Sequence, residues 1–297
     1  MEGLSSFKSV KRNSDGKRPS PSPMHNILLI VSDRSGSMSV MGKKPYRGVK
    51  KILKDQIDLY EKTNVNANIR LVLFSNEQKN VIGDDKSYGV LASNVKIPKA
   101  KEFECLGFTR LYDTVVENLH LAYEMRKIYI EKLPKNIRKL NPNVQITFVL
   151  ITDGLDNASD EYTREDMQRT IEEGRENHNM TAFYLATDGS AADMADKYGF
   201  CKDRSLAFTP SKHHCNMAFN GLSKLVRDVS SGCYKKSVKF PELVRTSSSE
   251  MYSSSKKKGS VHFKSPPKIP RNLSSVRNLF PSPRLYRSPR IDHFNNN

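Results

Sequence analysis

The chain has 297 residues and a formal net charge of +17 at pH 7, and 37% of its residues are hydrophobic. The longest apolar run, residues 27–31, is far too short to cross a bilayer, and the first 24 residues hold no continuous apolar stretch like that of a secretory signal. We therefore expect no transmembrane segment and a protein of the cytoplasm or nucleus rather than a secreted one.

The distribution of apolar residues predicts one folded domain. Apolar runs recur across residues 25–240, whereas residues 1–24 and 241–297 are dominated by Ser, Pro, Lys, Arg and Asn. Such polar ends bury too little apolar surface to offset the entropy lost on ordering them. We expect a disordered N-terminal arm over 1–24, a domain over 25–240, and a disordered basic Ser/Pro-rich tail over 241–297.

The tail offers two further features. Residues 241–297 carry 11 Lys or Arg against 3 acidic residues, which favours anionic partners such as nucleic acid, an acidic protein or a membrane surface. Ser-Pro dipeptides begin at Ser265, Ser282 and Ser288, where a proline-directed kinase could phosphorylate them. The same dipeptides are common in unmodified polar linkers, so the sequence leaves phosphorylation open.

Across residues 25–240, continuous apolar runs typical of buried strands alternate with segments whose apolar residues have helical spacing. Continuous apolar runs predict buried strands at 26–32 and 144–152, and shorter runs predict strands at 67–74, 181–187 and 205–209, with a short antiparallel edge strand at 78–82. Helical spacing predicts helices at 49–60, from 111 onward, at 191–198 and at 218–229, and Thr163 with Asp166 predicts a capped helix ending near His178.

This alternation predicts an α/β fold with a doubly wound, mostly parallel sheet, one antiparallel edge strand and helices on both faces. In such sheets ligands bind outside the carboxyl ends of the strands, where the strand order reverses. Residues 88–103 give no clear pattern, and the basic segment 132–143 is expected to be a solvated connection rather than a nucleic-acid contact.

Three oxygen-rich loops are expected at that sheet edge. The first, residues 33–37, has the pattern D-x-S-x-S and follows the first strand. An Asp or Ser before a helix is often only a cap, so this pattern alone is weak evidence. Thr109 in G-F-T-R-L-Y-D and Asp153 in L-I-T-D-G-L-D-N-A-S supply two further loops. Oxygen ligands of this kind suit a hard cation such as Mg²⁺.

The three loops together resemble the metal-ion-dependent adhesion site of von Willebrand factor A domains, and the match extends over about residues 26–230. The resemblance implies a Rossmann-like sheet with one antiparallel edge strand. It also implies that Ser35, Ser37 and Thr109 ligate the metal through their hydroxyls, and that Asp33 and Asp153 bind it directly or through water. With every ligand position filled, the expected ion is Mg²⁺, with Mn²⁺ or Ca²⁺ as alternatives.

Such a site is expected to bind a protein partner. A cation held mainly by neutral hydroxyls and waters stays electrophilic, so a Glu or Asp of a partner can replace one water. Helix starts after Ser37 and Thr109 are expected to add positive dipole ends that favour the incoming anion. The sequence therefore predicts an intracellular, non-enzymatic adaptor or scaffold.

Other functions remain as alternatives. The basic tail could tether the protein to nucleic acid or another polyanion, with the domain as a scaffold. Metal-assisted hydrolysis is less favoured, because the spare carboxylate, Asp156, is expected to cap or brace its loop, and no phosphate-binding P-loop occurs. A zinc site built from Cys201, His213, His214 and Cys215 fits no common spacing, and we expect surface histidines and a buried thiol there.

Overall fold

The computed structural model describes residues 25–63, 66–84, 88–153, 155–186 and 194–232. All of them belong to the first of the two units into which the chain divides, Met1–Lys258. The arm, the basic tail and its Ser-Pro dipeptides lie outside the described residues, as do Thr187 and the first residues of the helix predicted at 191–198. The domain bounds at 25 and 240 therefore stay predictions.

The described strands are β1 His25–Asp33, β2 Asn66–Phe74, β3 Gln78–Ile82, β4 Val90–Leu91, β5 Val144–Thr152, β6 Met180–Ala186 and β7 Ser205–Ala207. They form one mixed sheet in the order β3-β2-β1-β5-β6-β7, with β4 pairing on β2. Adjacent strands in the series β2-β1-β5-β6-β7 run parallel, whereas β3 and β4 run antiparallel to β2. The predicted antiparallel edge is confirmed, and it consists of two short segments.

Helices cover both faces of this sheet. They are α1 Lys44–Thr63, α2 Leu111–Lys132, α3 Lys135–Arg138, α4 Arg164–Asn177, α5, described over residues 194–197, and α6 Lys212–Ser230. Short 3₁₀ helices occupy Gly36–Met41, Ala92–Asn94, Ala100–Phe103 and Lys202–Arg204. None of the described helices combines the length and the apolar composition needed to span a membrane.

The core has two apolar layers because side chains alternate along each strand. On β1, Leu28 and Ile30 pack in the layer beneath α1 and α6, whereas Ile27, Leu29 and Val31 pack in the layer beneath α2 and α4. This explains why the first strand is continuously apolar rather than alternating. A mostly parallel sheet covered by helices on both faces is the architecture that the resemblance predicts.

Local signals explain where several elements begin. The Thr163 hydroxyl accepts a hydrogen bond from the Asp166 backbone N–H, and the Asp166 carboxylate accepts one from the Thr163 N–H, so the predicted capping box starts α4. The segment around Ser37 differs from the prediction: a six-residue 3₁₀ helix, Gly36–Met41, includes Ser37, and α1 begins only at Lys44. The basic connection also contains one helical turn, α3, and is largely exposed.

Candidate metal centre

The sheet topology brings the first and third oxygen-rich loops to one edge. In the sheet β2 lies on one side of β1, and β5, β6 and β7 lie in that order on the other side. The strand order therefore reverses between β1 and β5, the position at which doubly wound sheets bind ligands. Asp33 is the last residue of β1, and Asp153 directly follows β5.

Hydrogen bonds connect four of the five predicted residues. The Asp33 carboxylate is 1% exposed and accepts hydrogen bonds from the Ser35 backbone N–H at 2.6 Å and from the Thr152 hydroxyl at 2.7 Å. The hydroxyl oxygens of Ser35 and Ser37 lie 3.0 Å apart, and the Ser37 hydroxyl donates to Asp153 Oδ1 at 2.9 Å. Two carboxylates and two hydroxyls thus gather in one place.

The loop of Thr109 is held against the first loop by its backbone. The Gly36 N–H donates to the Gly107 carbonyl at 3.0 Å, and the Leu106 N–H donates to the Arg34 carbonyl at 2.9 Å. Gly107 has a φ of +74°, and a Cβ there would lie 1.8 Å from Asn76 Oδ1. A side chain at this position would displace Asn76, and the left-handed conformation also favours glycine.

Thr109 is also tied to the loop that follows β5. Its backbone N–H donates to the Asn157 side-chain oxygen at 2.7 Å, and its carbonyl accepts from the N–H groups of Asn157 and Ala158. The residue is 3% exposed. Its hydroxyl makes no hydrogen bond to another described residue, so it remains available to a ligand.

Asp156 fixes the start of α2. Its carboxylate accepts hydrogen bonds from the backbone N–H groups of Leu111, at 2.7 Å, and Tyr112, at 3.3 Å, and from the Ser159 hydroxyl. A cap of this kind satisfies the unpaired N–H groups at a helix start and places a negative charge on the positive end of the helix dipole. The expectation that Asp156 caps or braces a loop agrees with these contacts.

The same contacts correct the predicted role of the helix dipoles. The N-terminal N–H groups of α2 already bind Asp156, and the helix that contains Ser37 is a short 3₁₀ helix with poor dipole alignment rather than the start of α1. An anion that approaches the site would therefore meet little positive charge from helix termini. Any attraction for an anion has to come from a cation or from a charged side chain.

Burial of Asp33 and the nearby charge of Asp153 disfavour the simultaneous ionisation of both carboxylates when no cation is bound. Burial raises the pKa of Asp33 to about 6, hydrogen bonds from Ser35 and Thr152 oppose that rise, and the charge of Asp153 adds to it. Burial also raises the pKa of the nearby Cys105 thiol, and the charges of Asp33 and Asp153 raise it further. Cys105 therefore stays protonated at neutral pH and is a poor nucleophile.

The donor set fits a small divalent cation. Adjacent ligands of an octahedral Mg²⁺ ion lie about 3 Å apart, because each Mg–O distance is about 2.1 Å. The separations of 3.0 Å between the two serine hydroxyls and 2.9 Å between Ser37 and Asp153 match this spacing. Asp33, Ser35, Ser37, Thr109 and Asp153 could hold such an ion, whose positive charge would relieve the repulsion between the carboxylates.

The alternative zinc site does not form in the described part of the chain. No group of three or more His, Cys, Asp or Glu side chains that could hold a metal occurs there. His214 is buried rather than on the surface, and its Nδ1 lies 2.7 Å from the Thr209 hydroxyl and 2.8 Å from the Ser211 hydroxyl, beside the N-terminal cap of α6. Cys215 is a buried thiol, as expected.

Several residues that build the site carried no signal in the sequence. The hydroxyl of Thr152 holds Asp33, the amide of Asn76 supports the backbone of the 105–109 loop, and Asn157 positions Thr109. Each acts on a partner 32 to 119 positions away along the chain. The only available hint was their position within or beside the three loops.

Comparisons with known proteins concern the fold. No model of a known protein family matches the chain, and no curated protein matches its sequence. Among solved structures it is similar to a von Willebrand factor type A protein from Catenulispora acidiphila, with 17% identity and a TM-score of 0.44 over 69% of this chain and 43% of that one.

Two further structures are similar to it. One is proximal thread matrix protein 1 from the mussel byssus with a zinc-occupied MIDAS motif, at 16% identity and a TM-score of 0.40 over 71% of this chain and 46% of that one. The other is the PilB minor pilin of Streptococcus sanguinis, at 13% identity and a TM-score of 0.43 over 71% and 64%. The chain spans less than half the length of the first two proteins, and at such identities the site has to be judged on its own side chains.

Proposed function

We propose that this protein is a metal-dependent binding module. A divalent cation, Mg²⁺ in the first instance, is held by Asp33, Ser35, Ser37, Thr109 and Asp153. The cation keeps one coordination position for a Glu or Asp side chain of a protein partner. On this proposal the protein acts as an adaptor or scaffold inside the cell rather than as an enzyme.

One observation carries the proposal. The hydroxyls of Ser35 and Ser37 and the carboxylate of Asp153 form a continuous chain of oxygens, spaced like neighbouring ligands of Mg²⁺, at the point where the strand order reverses. Oxygen ligands that are mostly neutral leave the cation enough charge to attract a further carboxylate. The spare carboxylate that hydrolysis would need as a base, Asp156, is occupied by α2, which favours binding over catalysis.

The first experiment measures metal binding directly. Ser37 is exposed, so Ser37→Ala removes one hydroxyl with little effect on folding. We expect Mg²⁺ or Mn²⁺ to bind the wild-type chain in calorimetric titration, and Ser37→Ala to weaken binding at least about tenfold, since loss of even an outer partner of a metal often costs 10–100-fold. Ser39→Ala is a matched control, because Ser39 is an exposed serine on the same 3₁₀ helix.

The second experiment addresses the partner. Proteins that the wild-type chain retains in Mg²⁺ should be released by EDTA, should be absent with Ser37→Ala, and should persist with Ser39→Ala. Retention that is unchanged by EDTA would count against the proposal. Equal metal affinity in all three chains would count against it as well, because the predicted ligand would then make no contribution.

A further inference from the structure

Exposed large apolar side chains are concentrated around the candidate metal centre. In the described part of the chain six such residues are exposed, and four of them lie on the three oxygen-rich loops or within three residues of them. These four, called the apolar rim below, are Val40, Leu106, Phe108 and Leu155, with 68%, 49%, 63% and 52% of their surface exposed. Single exposed apolar residues are normal on protein surfaces, whereas their accumulation at one functional edge marks a contact surface.

The backbone holds the rim in place. Leu106 and Phe108 flank Gly107, and their N–H groups donate to the Arg34 carbonyl and to the Asn76 side chain. Leu155 stands directly before Asp156, whose carboxylate is bound to the start of α2. These residues are therefore exposed on loops that hydrogen bonds hold in place, not on free chain ends.

Val40 extends the rim on the side of the first loop. It lies on the 3₁₀ helix Gly36–Met41, whose Met38 and Met41 are buried in the layer beneath α1. Because these two methionines anchor the helix, the intervening Val40 faces solvent. A rise of about 2 Å per residue places Val40 within roughly 6 Å, along the helix, of Ser37.

The charge beside the rim favours an acidic ligand. Arg34 stands between Asp33 and Ser35, forms no ion pair with a described residue, and has a buried Nε without a hydrogen-bond partner there. Its positive charge acts on the Cys105 thiol, close to both carboxylates. A bound cation would add to this charge, so the centre of the surface attracts an anion while its margin attracts apolar groups.

We propose that the apolar rim selects partners whose metal-binding Glu or Asp is flanked by apolar residues in an extended segment. This inference rests on the proposed function and adds the chemistry of the partner. The central carboxylate reaches the cation, and Leu, Ile, Val, Phe or Met side chains on either side of it lose water against Phe108, Leu106, Leu155 and Val40. Buried apolar anchors around one charged contact supply the affinity that a single exposed carboxylate lacks.

The probe for this proposal is a random peptide display library. The full chain is used to capture peptides in Mg²⁺, and the bound peptides are eluted with EDTA. We expect the eluted sequences to be enriched, relative to the unselected library, in apolar residues within two positions of a Glu or Asp. A fluorescent peptide of that type should bind the Phe108→Ser/Leu155→Ser double variant at least about tenfold more weakly than the wild type.

Two controls separate the rim from the metal. Leu140→Ser changes an apolar residue that is 76% exposed on the basic connection, outside the three loops, and should leave peptide affinity within twofold. The double variant should retain wild-type Mg²⁺ affinity, because neither Phe108 nor Leu155 is a proposed ligand. A loss of Mg²⁺ affinity in that variant would mean that the rim supports the fold of the loops instead, and would contradict the proposal.

The remaining outcomes are also distinct. If EDTA elutes acidic peptides without apolar neighbours, or if the double variant binds the peptide as tightly as the wild type, the rim proposal fails and the metal-dependent function stands. If no peptide is released by EDTA, both proposals fail. If the chain binds anionic lipid vesicles through Phe108 and Leu155 and captures no peptides, the rim is a membrane contact, and the peptide proposal is overturned.

Discussion

His25 and Asp33 stand at opposite ends of β1, and burial shifts their pKa values in opposite directions. Burial raises the pKa of Asp33 to about 6 and lowers that of His25 to about 4, since in both cases the neutral form is favoured. The His25 ring is 2% exposed and stacks on Tyr129 with 3.9 Å between the ring centres. Its neutral form is therefore part of the folded state.

This shift predicts a pH dependence of stability. The unfolded chain protonates His25 near pH 6.5, whereas the folded chain does so only near pH 4. The contribution of His25 is fully present above pH 6.5 and is lost as the pH falls towards 4, because the unfolded state then binds the proton more tightly. The loss amounts to about 3 kcal/mol, at roughly 1.4 kcal/mol per pKa unit.

The variant His25→Phe tests this prediction. Phenylalanine keeps the stacking on Tyr129 and cannot be protonated. Urea unfolding in EDTA at pH 7 and pH 4.5 should show a smaller loss of stability for the variant than for the wild type. Equal losses in the two chains would mean that His25 is accessible to protons in the folded state.

At the scale of elements, Asp113 connects α2 to the loop that follows β5. Its fully buried carboxylate accepts hydrogen bonds from the N–H groups of Asp160 at 3.0 Å, Glu161 at 3.2 Å and Tyr162 at 2.7 Å. It also pairs with Arg110 Nε at 2.7 Å. Burial opposes ionisation of Asp113, but these donors outweigh it and lower the pKa.

We expect Asp113→Ala to destabilise the fold by about 3–5 kcal/mol, because it leaves three backbone donors without their acceptor and removes the nearest carboxylate from Arg110. Asp160→Ala is the control, because the Asp160 side chain is 83% exposed and lies 3.6 Å from Arg110, farther than the 2.7 Å between Asp113 and Arg110. It should change stability by less than about 1 kcal/mol. Denaturant unfolding measures both values, and similar values for the two variants would contradict this account of the loop.

Elements with strong local signals were predictable, and the contacts between loops were not. The bounds of β5 and β3 and the capping box of α4 agree with the prediction, because apolar runs and cap residues are local properties. The 3₁₀ helix Gly36–Met41 was missed, since six residues are too few to display a period.

The same distinction applies within the candidate site. The D-x-S-x-S pattern singled out Asp33, Ser35 and Ser37, and hydrogen bonds connect these residues to one another and to Asp153, whereas their role as metal ligands stays a prediction. The Thr152 hydroxyl bond to Asp33 and the Asp156 cap of α2 join residues 119 and 45 positions apart. Such pairs arise from the tertiary fold, so the sequence predicted that Asp156 caps or braces a loop but could not identify the residues that Asp156 and Thr152 contact.

At the scale of the whole molecule, the basic tail distinguishes the two main hypotheses, which are metal-dependent partner binding and tethering to a polyanion. Residues 241–297 carry 11 basic and 3 acidic residues, so the alternative function assigns polyanion binding to this tail. Removal of 241–297 should weaken retention on single-stranded nucleic acid and flatten its dependence on salt, because fewer counterions are released. Metal affinity should be unaffected. Unchanged retention after the truncation would contradict a tethering role for the tail.

The central claim is that five side chains from three loops surround one divalent cation. Anomalous diffraction from crystals grown in Mn²⁺ tests it most directly, because the metal is located without any assumption about partners. We predict one anomalous peak within about 2.0–2.3 Å of the hydroxyl oxygens of Ser35, Ser37 and Thr109, with Asp33 and Asp153 in direct or water-mediated contact. A map in which this position holds no metal, while the three loops keep their arrangement, would contradict the claim.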